Sequence, residues 1–493
     1  MTGKNYFLAF DLGASSGRAM LGILENGRLK LKEIYRFENR MQQINGHFFW
    51  NIFSLFQELK NGLKKCVCDN GIQPKSIAVD TWGVDFVHLD EKGMILSLPY
   101  AYRDSRTDGM IEELSKIVPE KELYLQTGIQ LMQINSLFQL FSMVKDKSKL
   151  LKITDKILFT PDALNYLFSG VAATEFSIAS TSEMILPGQC KWQTKLLNKV
   201  GIPVSILGKI ILPGTIIGKM TKEVATETGS EQIPVIAVAG HDTASAVAAI
   251  PADTSDFVFI SSGTWSILGT ESATPIISDE TNEMNFTNEG GVEGTIRFSK
   301  NIMGMWLIQE CRRIWSAKKN YTWDEIVQMA KKAEPFKFLI DPENGAFLNP
   351  ENMPEAIASF CEKTGQGKIS SNGEIARCIY DSLALKYAFT LNQMKQLTKR
   401  SFKKIYIIGG GSNNYFLDQL TSDMTGLSVI AGPTEATAIG NILMQAKALK
   451  IVDSLKQIRK IVSDSFDPVS FTPENIKNRD EVFRRFNKII KNQ

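Results

Sequence analysis

The segment YFLAFDLGASSGR, residues 6–18, predicts the first strand and turn of a sheet. Its apolar run predicts a buried strand that ends at an aspartate, and a turn of small residues follows. The next segment, residues 19–37, predicts a hairpin because two β-type runs flank the turn pair Asn26-Gly27. The same pattern, a strand followed by a small-residue turn and a second strand, is predicted in DFVFISSGTWSILGTES, residues 256–272. This recurrence predicts an α/β protein built from two halves of similar construction, with a cleft between them.

The length and composition are those of an ordinary globular protein with more than one domain. The 493 residues include 43% hydrophobic and 22% charged side chains, so two domains are expected. The formal net charge of +3 gives no reason to expect nucleic acid or a membrane surface as a partner. No apolar window approaches the length that spans a bilayer, and the first apolar stretch is too short for a signal peptide. A cytoplasmic location is therefore expected.

Cysteine and histidine are sparse, which argues against a metal site built from them. Six cysteines are scattered along the chain, and the close pair in CVC, residues 66–68, is neither a CxxC redox pair nor a zinc knuckle. Reduced, structural thiols are expected. Only three histidines occur, His47, His88 and His241, so a histidine-rich metal site is not expected.

Several further elements are predicted from pattern. Residues 109–150 and 161–170 are expected to be helical, and residues 374–397 predict a long amphipathic helix. The segment KKIYIIGGGSNN, residues 403–414, then predicts a strand and a triple-glycine turn that opens a helix. The polar segment AIPADTSD, residues 249–256, predicts a connection between the two halves.

The stretch VIAVAGHDTASAVAAI, residues 235–250, places an isolated carboxylate between two apolar elements. The first part predicts a buried strand and the alanine-rich part predicts a helix. Asp242 or Thr243 is a candidate cap for that helix. A carboxylate at a strand-to-helix junction is equally a candidate for chemistry, because ligands bind at the carboxyl edge of such sheets. The residues alone leave both interpretations open.

Two small-residue turns are candidates for binding phosphate. In DLGASSGR, residues 11–18, backbone N–H groups form a concavity for anionic oxygens, Arg18 adds a cation, and Asp11 is suited to a hydrated Mg²⁺. SSGTWS, residues 261–266, offers similar groups in the second half. Plain hairpin turns without a ligand are the alternative. The match to G-x-S-x-G around Ser15 indicates an esterase only if a helix follows, whereas a strand is predicted there.

The triple glycine of GGGSNN, residues 409–414, allows a flat adenine or a ribose to lie against the backbone. The alternative is that these glycines only allow a helix to pack closely and bind no ligand. Neither a dinucleotide fingerprint nor an ordinary P-loop occurs in the sequence. A polar cluster at TWGVDF, residues 81–86, has the groups that bind sugar hydroxyls, although Trp82 equally suits a core position.

These motifs, in this order, resemble the FGGY family of carbohydrate kinases. The resemblance runs from about residue 5 to residue 445, and it is specific because ten motifs occur in register. The motifs are DLGASSGR, DTWGVDF, YRDSRT, GHDTASAV, SSGTWS, NEGG, KNIMGMWLIQE, DSLALKYA, GGGSNN and GPTEATAIGN.

The resemblance implies two actin-like ATPase domains, of the ribonuclease-H-like kind, with a nucleotide and sugar cleft between them. The implied division is an N-terminal FGGY domain at 1–248 with the sugar site and the first phosphate loop, a C-terminal FGGY domain at 249–450 that binds ATP, and a partly helical tail at 451–493. The expected oligomeric state is a monomer or a weak homodimer.

The resemblance also implies roles for single residues. Asp242 is implied as the general base, and Asp11 as the residue that orients Mg²⁺ through water. The implied ATP contacts are Ala14, Ser15, Ser16, Gly17, Arg18, Thr264, Gln309 and Gly410, and the implied sugar contacts are Gly83, His241, Asp242, Thr243 and Asn301.

The implied reaction is ATP-dependent phosphorylation of a ketose at O1. L-rhamnulose is the first candidate substrate, and L-fuculose or another deoxyketose is the alternative within the family. An actin-like ATPase or a sugar-binding protein without transfer activity remains the alternative from another class. The cofactors expected are ATP and Mg²⁺.

Overall fold

The computed structural model describes residues 3–348, 350–476 and 478–491. The strands are β1 (Asn5–Leu12), β2 (Ser16–Glu25), β3 (Arg28–Glu38), β4 (Gln42–Ile44), β5 (His47–Phe49), β6 (Ile77–Thr81), β7 (Phe86–Leu89), β8 (Lys156–Phe159), β9 (Thr174–Glu175), β10 (Ile210–Ile211), β11 (Thr215–Lys219), β12 (Pro234–Ala237), β13 (Phe257–Ser262), β14 (Trp265–Ser272), β15 (Thr287–Gly290), β16 (Ile296–Met303), β17 (Lys404–Ile408), β18 (Ser428–Ala431) and β19 (Val469–Phe471).

The α-helices are α1 (Ile52–Lys64), α2 (Met110–Ser115), α3 (Glu120–Thr127), α4 (Ser136–Lys145), α5 (Lys149–Ile153), α6 (Thr160–Ser169), α7 (Phe176–Ser180), α8 (Thr194–Lys199), α9 (Lys222–Thr228), α10 (Asp242–Ala248), α11 (Asp279–Glu283), α12 (Trp306–Trp315), α13 (Trp323–Lys332), α14 (Met353–Lys363), α15 (Asn372–Thr398), α16 (Tyr415–Thr425), α17 (Ala436–Ala448), α18 (Leu455–Ser465) and α19 (Arg479–Lys491). A π-turn at Lys65–Asp69 extends α1, and 3₁₀ turns lie at Ser105–Thr107, Val204–Ile206, Gly345–Phe347 and Gly410–Asn413.

Contacts divide the described chain into two compact units. Unit 1 takes in the chain up to Asp253, then Glu271–Phe298 and Glu435–Phe466. Unit 2 takes in Thr254–Thr270, Ser299–Thr434 and the chain from Asp467. The domain limits predicted at residues 248 and 450 stay a prediction. Within the described residues, none of the helices has the length and apolar character needed to cross a membrane.

The main sheet of unit 1 has the strand order β11-β12-β6-β1-β2-β3. Strands β1, β2 and β3 form an antiparallel meander, and β6 and β12 continue the sheet in parallel with β1. Strand β1 is buried along most of its length, which explains its continuous apolar run. The predicted hairpin turn is present, with positive φ angles at Asn26 and Gly27 that suit the twist of the flanking strands.

The sheet of unit 2 repeats this construction. The second sheet has the strand order β15-β16-β14-β13-β17-β18-β19, with β13 antiparallel to β14 and parallel to β17, and with β17 parallel to β18. In both units the first strand therefore lies between a hairpin partner and a parallel strand. The predicted α/β class and the predicted repetition of the strand, turn and strand unit are confirmed.

The helices agree with the sequence pattern where it is strongest. Helix α15 covers the predicted 374–397 segment and is buried along most of its length. The expectation of helix throughout residues 109–150 was wrong in detail, because that segment forms the separate helices α2 to α5. Pro119 precedes α3, and Gly128 ends it in the left-handed region, so the backbone leaves the helical path at both points.

Candidate active site

The first part of the candidate site is the edge of the unit 1 sheet where three parallel strands end. Asp11 lies near the end of β1 and pairs in register with Asp80 on β6. Asp242 follows β12 and is the first residue of α10. The junction is joined to β6 by the Thr81 amide, which donates a 2.9 Å hydrogen bond to the carbonyl of Gly240. Three carboxylates are therefore brought to one edge of one sheet.

Asp11 and Arg18 form an ion pair across the β1–β2 hairpin. The Arg18 NH2 group lies 2.6 Å from Asp11 Oδ2, and NH1 lies 2.5 Å from Glu435 Oε2. Burial raises the pKa of Asp11, although the Arg18 guanidinium opposes that shift. The Asp11 Oδ1 atom has no hydrogen-bond partner within the described residues. Arg18, predicted as a phosphate contact, is thus held between two carboxylates.

Asp80 is the most enclosed of the three acids. It is fully buried, and its Oδ2 atom accepts a 2.5 Å hydrogen bond from Asn441 Nδ2. Its Oδ1 atom is buried without a hydrogen-bond partner among the described residues. Burial raises the pKa of Asp80 well above its usual range, and the nearby Asp11 adds to the shift. Within residues 3–348, 350–476 and 478–491, no three His, Cys, Asp or Glu side chains are arranged to hold a metal directly.

The small-residue turn that follows β1 is a tight hairpin braced by an asparagine. The Gly13 amide donates to the Ser16 carbonyl at 2.9 Å, and Asn39 Nδ2 donates to the Gly13 carbonyl at 2.9 Å. Ala14 and Ser15 are exposed at the tip, Ser16 is half-buried and Gly17 is buried. Strand β2 begins at Ser16, so no helix follows Ser15 and the esterase elbow is absent.

The His241–Asp242–Thr243 segment opens α10. His241 is the cap residue, but its side chain makes no capping hydrogen bond. Asp242 Oδ1 accepts from the amide of Thr243 at 2.5 Å and from the Thr243 hydroxyl at 3.1 Å. Its Oδ2 atom has no hydrogen-bond partner among the residues described, and the side chain is 32% exposed. Asp242 therefore stabilises the first turn with one oxygen and leaves the other available to a ligand.

The Gly83 turn after β6 is held in a strained conformation. Val84, a β-branched residue, has φ +69°, and its amide donates to Thr181 Oγ1 at 3.1 Å. Asp85 Oδ2 accepts from the indole N–H of Trp50 at 2.7 Å and from that of Trp82 at 2.9 Å. Trp82 is buried and packs on Trp50, so it occupies the core position that its sequence left open.

In unit 2 two predicted nucleotide contacts lie together. Thr264, in the β13–β14 turn, donates a 3.3 Å hydrogen bond from its hydroxyl to Gln309 Oε1. The Trp306 amide at the start of α12 donates to the Thr264 carbonyl at 3.2 Å. The Met305 amide donates to the Gly263 carbonyl at 3.0 Å. These bonds hold the turn against the first residues of α12.

The triple-glycine turn lies beside the same strand end. A Cβ on Gly411 would lie 1.9 Å from Ser262 Oγ, and one on Gly409, where φ is +82°, would lie 3.1 Å from the Ser262 carbonyl oxygen. Gly410 has open space at the equivalent position. The middle glycine thus presents bare backbone, while its neighbours pack closely on β13.

The predicted site residues fall in both units. Asp11, the 14–18 turn, Gly83 and the 241–243 segment belong to unit 1, whereas Asn301 on β16 belongs to unit 2 with Thr264, Gln309 and Gly410. Sequence reasoning missed Asp80, Glu435, Glu289 and Arg297. Asp80, Glu289 and Glu435 lie in the motifs DTWGVDF, NEGG and GPTEATAIGN, which gave no role to these acids, whereas Arg297 lies in no such motif.

Comparison with known proteins shows the family of the chain. The chain belongs to the FGGY family of carbohydrate kinases, since the model of the family's N-terminal domain matches residues 6–249 and that of its C-terminal domain matches residues 258–449. It is therefore a phosphotransferase whose substrates are a carbohydrate and ATP.

Individual relatives are named for one activity within this family. The chain is 43% identical over 488 residues to a rhamnulokinase of Bacteroides thetaiotaomicron, with 99% of this chain and 100% of the relative covered. It is 41% identical over 484 residues to a rhamnulokinase of Bacillus subtilis, with 98% of each chain covered.

Solved structures share the fold at low identity. A gluconate kinase from Lactobacillus acidophilus matches with a TM-score of 0.81 at 14% identity, over 99% of this chain and 96% of the other. A Plasmodium falciparum glycerol kinase with ADP matches with a TM-score of 0.81 at 14% identity, over 100% of this chain and 99% of the other. The two-domain sugar-kinase fold predicted from the motifs is confirmed.

Proposed function

We propose that this protein transfers the γ-phosphoryl group of ATP to O1 of L-rhamnulose, yielding L-rhamnulose 1-phosphate and ADP. The substrate is inferred from relatives named rhamnulokinase that are 40–43% identical over nearly the whole chain. One observation supports the chemistry above the others. Asp242 is a partly exposed carboxylate with one occupied and one free oxygen at the end of a parallel strand.

Asp242 is the general base of the proposed reaction. A primary hydroxyl is a poor nucleophile at neutral pH, and a carboxylate within hydrogen-bond reach accepts its proton as the P–O bond forms. Such a base contributes about 10²- to 10⁴-fold to the rate. The free Oδ2 atom suits this role, because Oδ1 is held by the backbone amide and the hydroxyl of Thr243.

The nucleotide is proposed to contact the turn formed by residues 14–18, together with Thr264, Gln309 and Gly410. Backbone N–H groups of small-residue turns bind phosphate oxygens, and the open Gly410 position leaves room for a flat group. Arg18 already pairs with two acids, and the further N–H donors of its guanidinium are the ones proposed to contact phosphate.

Magnesium is proposed to bind with ATP. Mg²⁺ keeps several waters and uses one or two carboxylates together with substrate phosphates, so a carboxylate that acts through water fits it. Asp11 is the proposed contact, through water, because its Oδ1 atom is free among the described residues. When bound, the ion neutralises charge that develops on the phosphate oxygens.

The proposed sugar contacts are Gly83, His241, Thr243 and Asn301, besides the base. Hydroxyl groups of a ketose need both donors and acceptors, and these residues supply backbone, imidazole, hydroxyl and amide groups. The packed Trp50–Trp82–Asp85 cluster holds the turn that carries Gly83.

The test is the isosteric change Asp242→Asn, with Asp253→Asn as the control because Asp253 is an exposed acid of the same unit. We expect kcat with L-rhamnulose to fall about 10²- to 10⁴-fold while the KM for ATP is kept. ADP release in a coupled assay measures both. Near-normal turnover in Asp242→Asn would exclude Asp242 as the base.

The substrate is tested separately with a panel of ketoses. L-rhamnulose is expected to give the highest kcat/KM, and a higher value for L-fuculose or another deoxyketose would reassign the substrate. ATP hydrolysis at the same rate without any sugar would favour an actin-like ATPase instead.

A further inference from the structure

A buried ion pair lies behind the proposed base in unit 1. Arg297 is fully buried, and its NH2 group lies 3.0 Å from Glu289 Oε2. The same NH2 group lies 3.0 Å from His241 Nδ1. Although burial alone would raise the pKa of Glu289, the charge of Arg297 opposes it and the pKa is lowered. Glu289 is thus an anion that attracts the guanidinium, which in turn lies against the imidazole.

The contact between Arg297 and His241 determines which ring nitrogen carries the proton. A guanidinium has only donors, so His241 Nδ1 can take part in the 3.0 Å hydrogen bond only as the acceptor. The ring proton must then lie on Nε2. That atom lies 3.4 Å from Asp242 Oδ1 without forming a hydrogen bond to it, so the polarity of Nε2 acts on the carboxylate electrostatically.

The backbone on either side of this cluster is held independently. The Gly240 amide donates to Glu175 Oε2 at 2.8 Å, and the His241 amide donates to Ser177 Oγ at 3.3 Å. Arg297 Nε donates to the Gly290 carbonyl at 3.0 Å. The bonds of Gly240 and His241 do not involve Arg297, whereas the bond to Gly290 is lost with the guanidinium, so the main chain of His241 is expected to stay in place in an Arg297 variant.

We propose that Arg297, paired with Glu289, is a positioning residue that keeps His241 in its Nε2–H tautomer, so that a ring N–H, and not a lone pair, faces the Asp242 carboxylate and the base stays in place. Without the guanidinium, Nδ1 becomes a donor toward Glu289 Oε2, which lies 3.4 Å away. The Nε2 lone pair then faces the Asp242 carboxylate and repels it. The proposal rests on the function proposed for Asp242.

The tautomer of His241 is measured by NMR spectroscopy of protein labelled with ¹⁵N-histidine. The chain has only three histidines, and His241→Asn identifies the spectrum of His241 among them. In the wild-type protein we expect the Nδ1 resonance of His241 at the position of an unprotonated ring nitrogen. A proton on Nδ1 in the wild-type protein would overturn the proposal. This measurement needs no sugar, so its result is independent of which ketose is the substrate.

Variants of Arg297 test whether the guanidinium sets the tautomer of His241. We expect Arg297→Met to move the proton to Nδ1 and to lower kcat about 10- to 100-fold, with the KM for ATP unchanged, because the base is displaced. Arg297→Lys keeps a donor-only cation and should retain the Nε2–H tautomer and more of kcat. A folded Arg297→Met protein with the wild-type tautomer and kcat would refute the proposal. Loss of kcat with the wild-type tautomer would assign Arg297 a purely structural role and refute it as well.

Discussion

The change Gly440→Ala tests whether the packing of two helices sets the position of the proposed base. Helices α17 and α10 both belong to unit 1. At Gly440 no side chain separates the backbones of the two helices. A Cβ built there would lie 1.8 Å from the carbonyl oxygen of Ser245 and 2.6 Å from its carbonyl carbon. Carbon and carbonyl oxygen approach to about 3.3 Å without repulsion, so the helices must separate by roughly 1.5 Å.

This separation is expected to affect both stability and catalysis. Overpacking of a core costs about 1–3 kcal/mol, and the upper end applies because the obstacle is backbone and not a flexible side chain. Ser245 also donates from its hydroxyl to the Ala239 carbonyl at 2.8 Å, so its displacement moves the loop that precedes Asp242. A misplacement of about 1 Å at a reacting group lowers the rate by up to roughly 10²-fold.

Urea unfolding and steady-state kinetics measure the two effects in the same protein. We expect Gly440→Ala to lower the free energy of unfolding and kcat together, with a smaller change in the KM for ATP. Gly345→Ala is the matched control, because a Cβ at Gly345 meets no atom within 4 Å and φ there is not positive. Wild-type stability and kcat in Gly440→Ala would show that the close approach of α10 and α17 does not position Asp242.

The remaining predictions concern two buried acids and the triple-glycine turn. Burial raises the pKa of Glu183 to about 8, so the stability it confers is present below its unfolded pKa of 4.5 and is lost as the pH rises through about 8. Glu183→Gln should therefore raise the urea midpoint at pH 9 relative to wild type, and an unchanged midpoint would contradict this. Asp85→Asn should lower the free energy of unfolding by about 1–3 kcal/mol, because both Asp85 oxygens accept from N–H donors and the NH₂ group of asparagine cannot accept. Unchanged urea unfolding of Asp85→Asn would count against this prediction. Gly410→Ala should raise the KM for ATP without loss of stability, whereas Gly411→Ala should destabilise the protein by its clash with Ser262; equal effects of the two changes would refute the proposed nucleotide contact.

Local patterns in the sequence predict the elements and the chemistry that depend on neighbouring residues. The β1–β2 turn, the hairpin at Asn26-Gly27 and the strand-to-helix junction at Asp242 follow from patterns a few residues long, and all three are present. The absence of an esterase elbow at Ser15 was predictable for the same reason, because the strand that follows has its own local signal.

The tertiary structure was needed to show which groups surround the candidate base and the Arg18 guanidinium. Arg297 reaches His241 from 56 residues away, and Glu435 reaches Arg18 from the far end of the chain. It also decided that Gly440 lies against the backbone of α10, where a larger residue does not fit. A single side chain carries no signal for a partner so distant in sequence, since the pairing of charges and the closeness of two helices arise only when the sheet brings separate segments together.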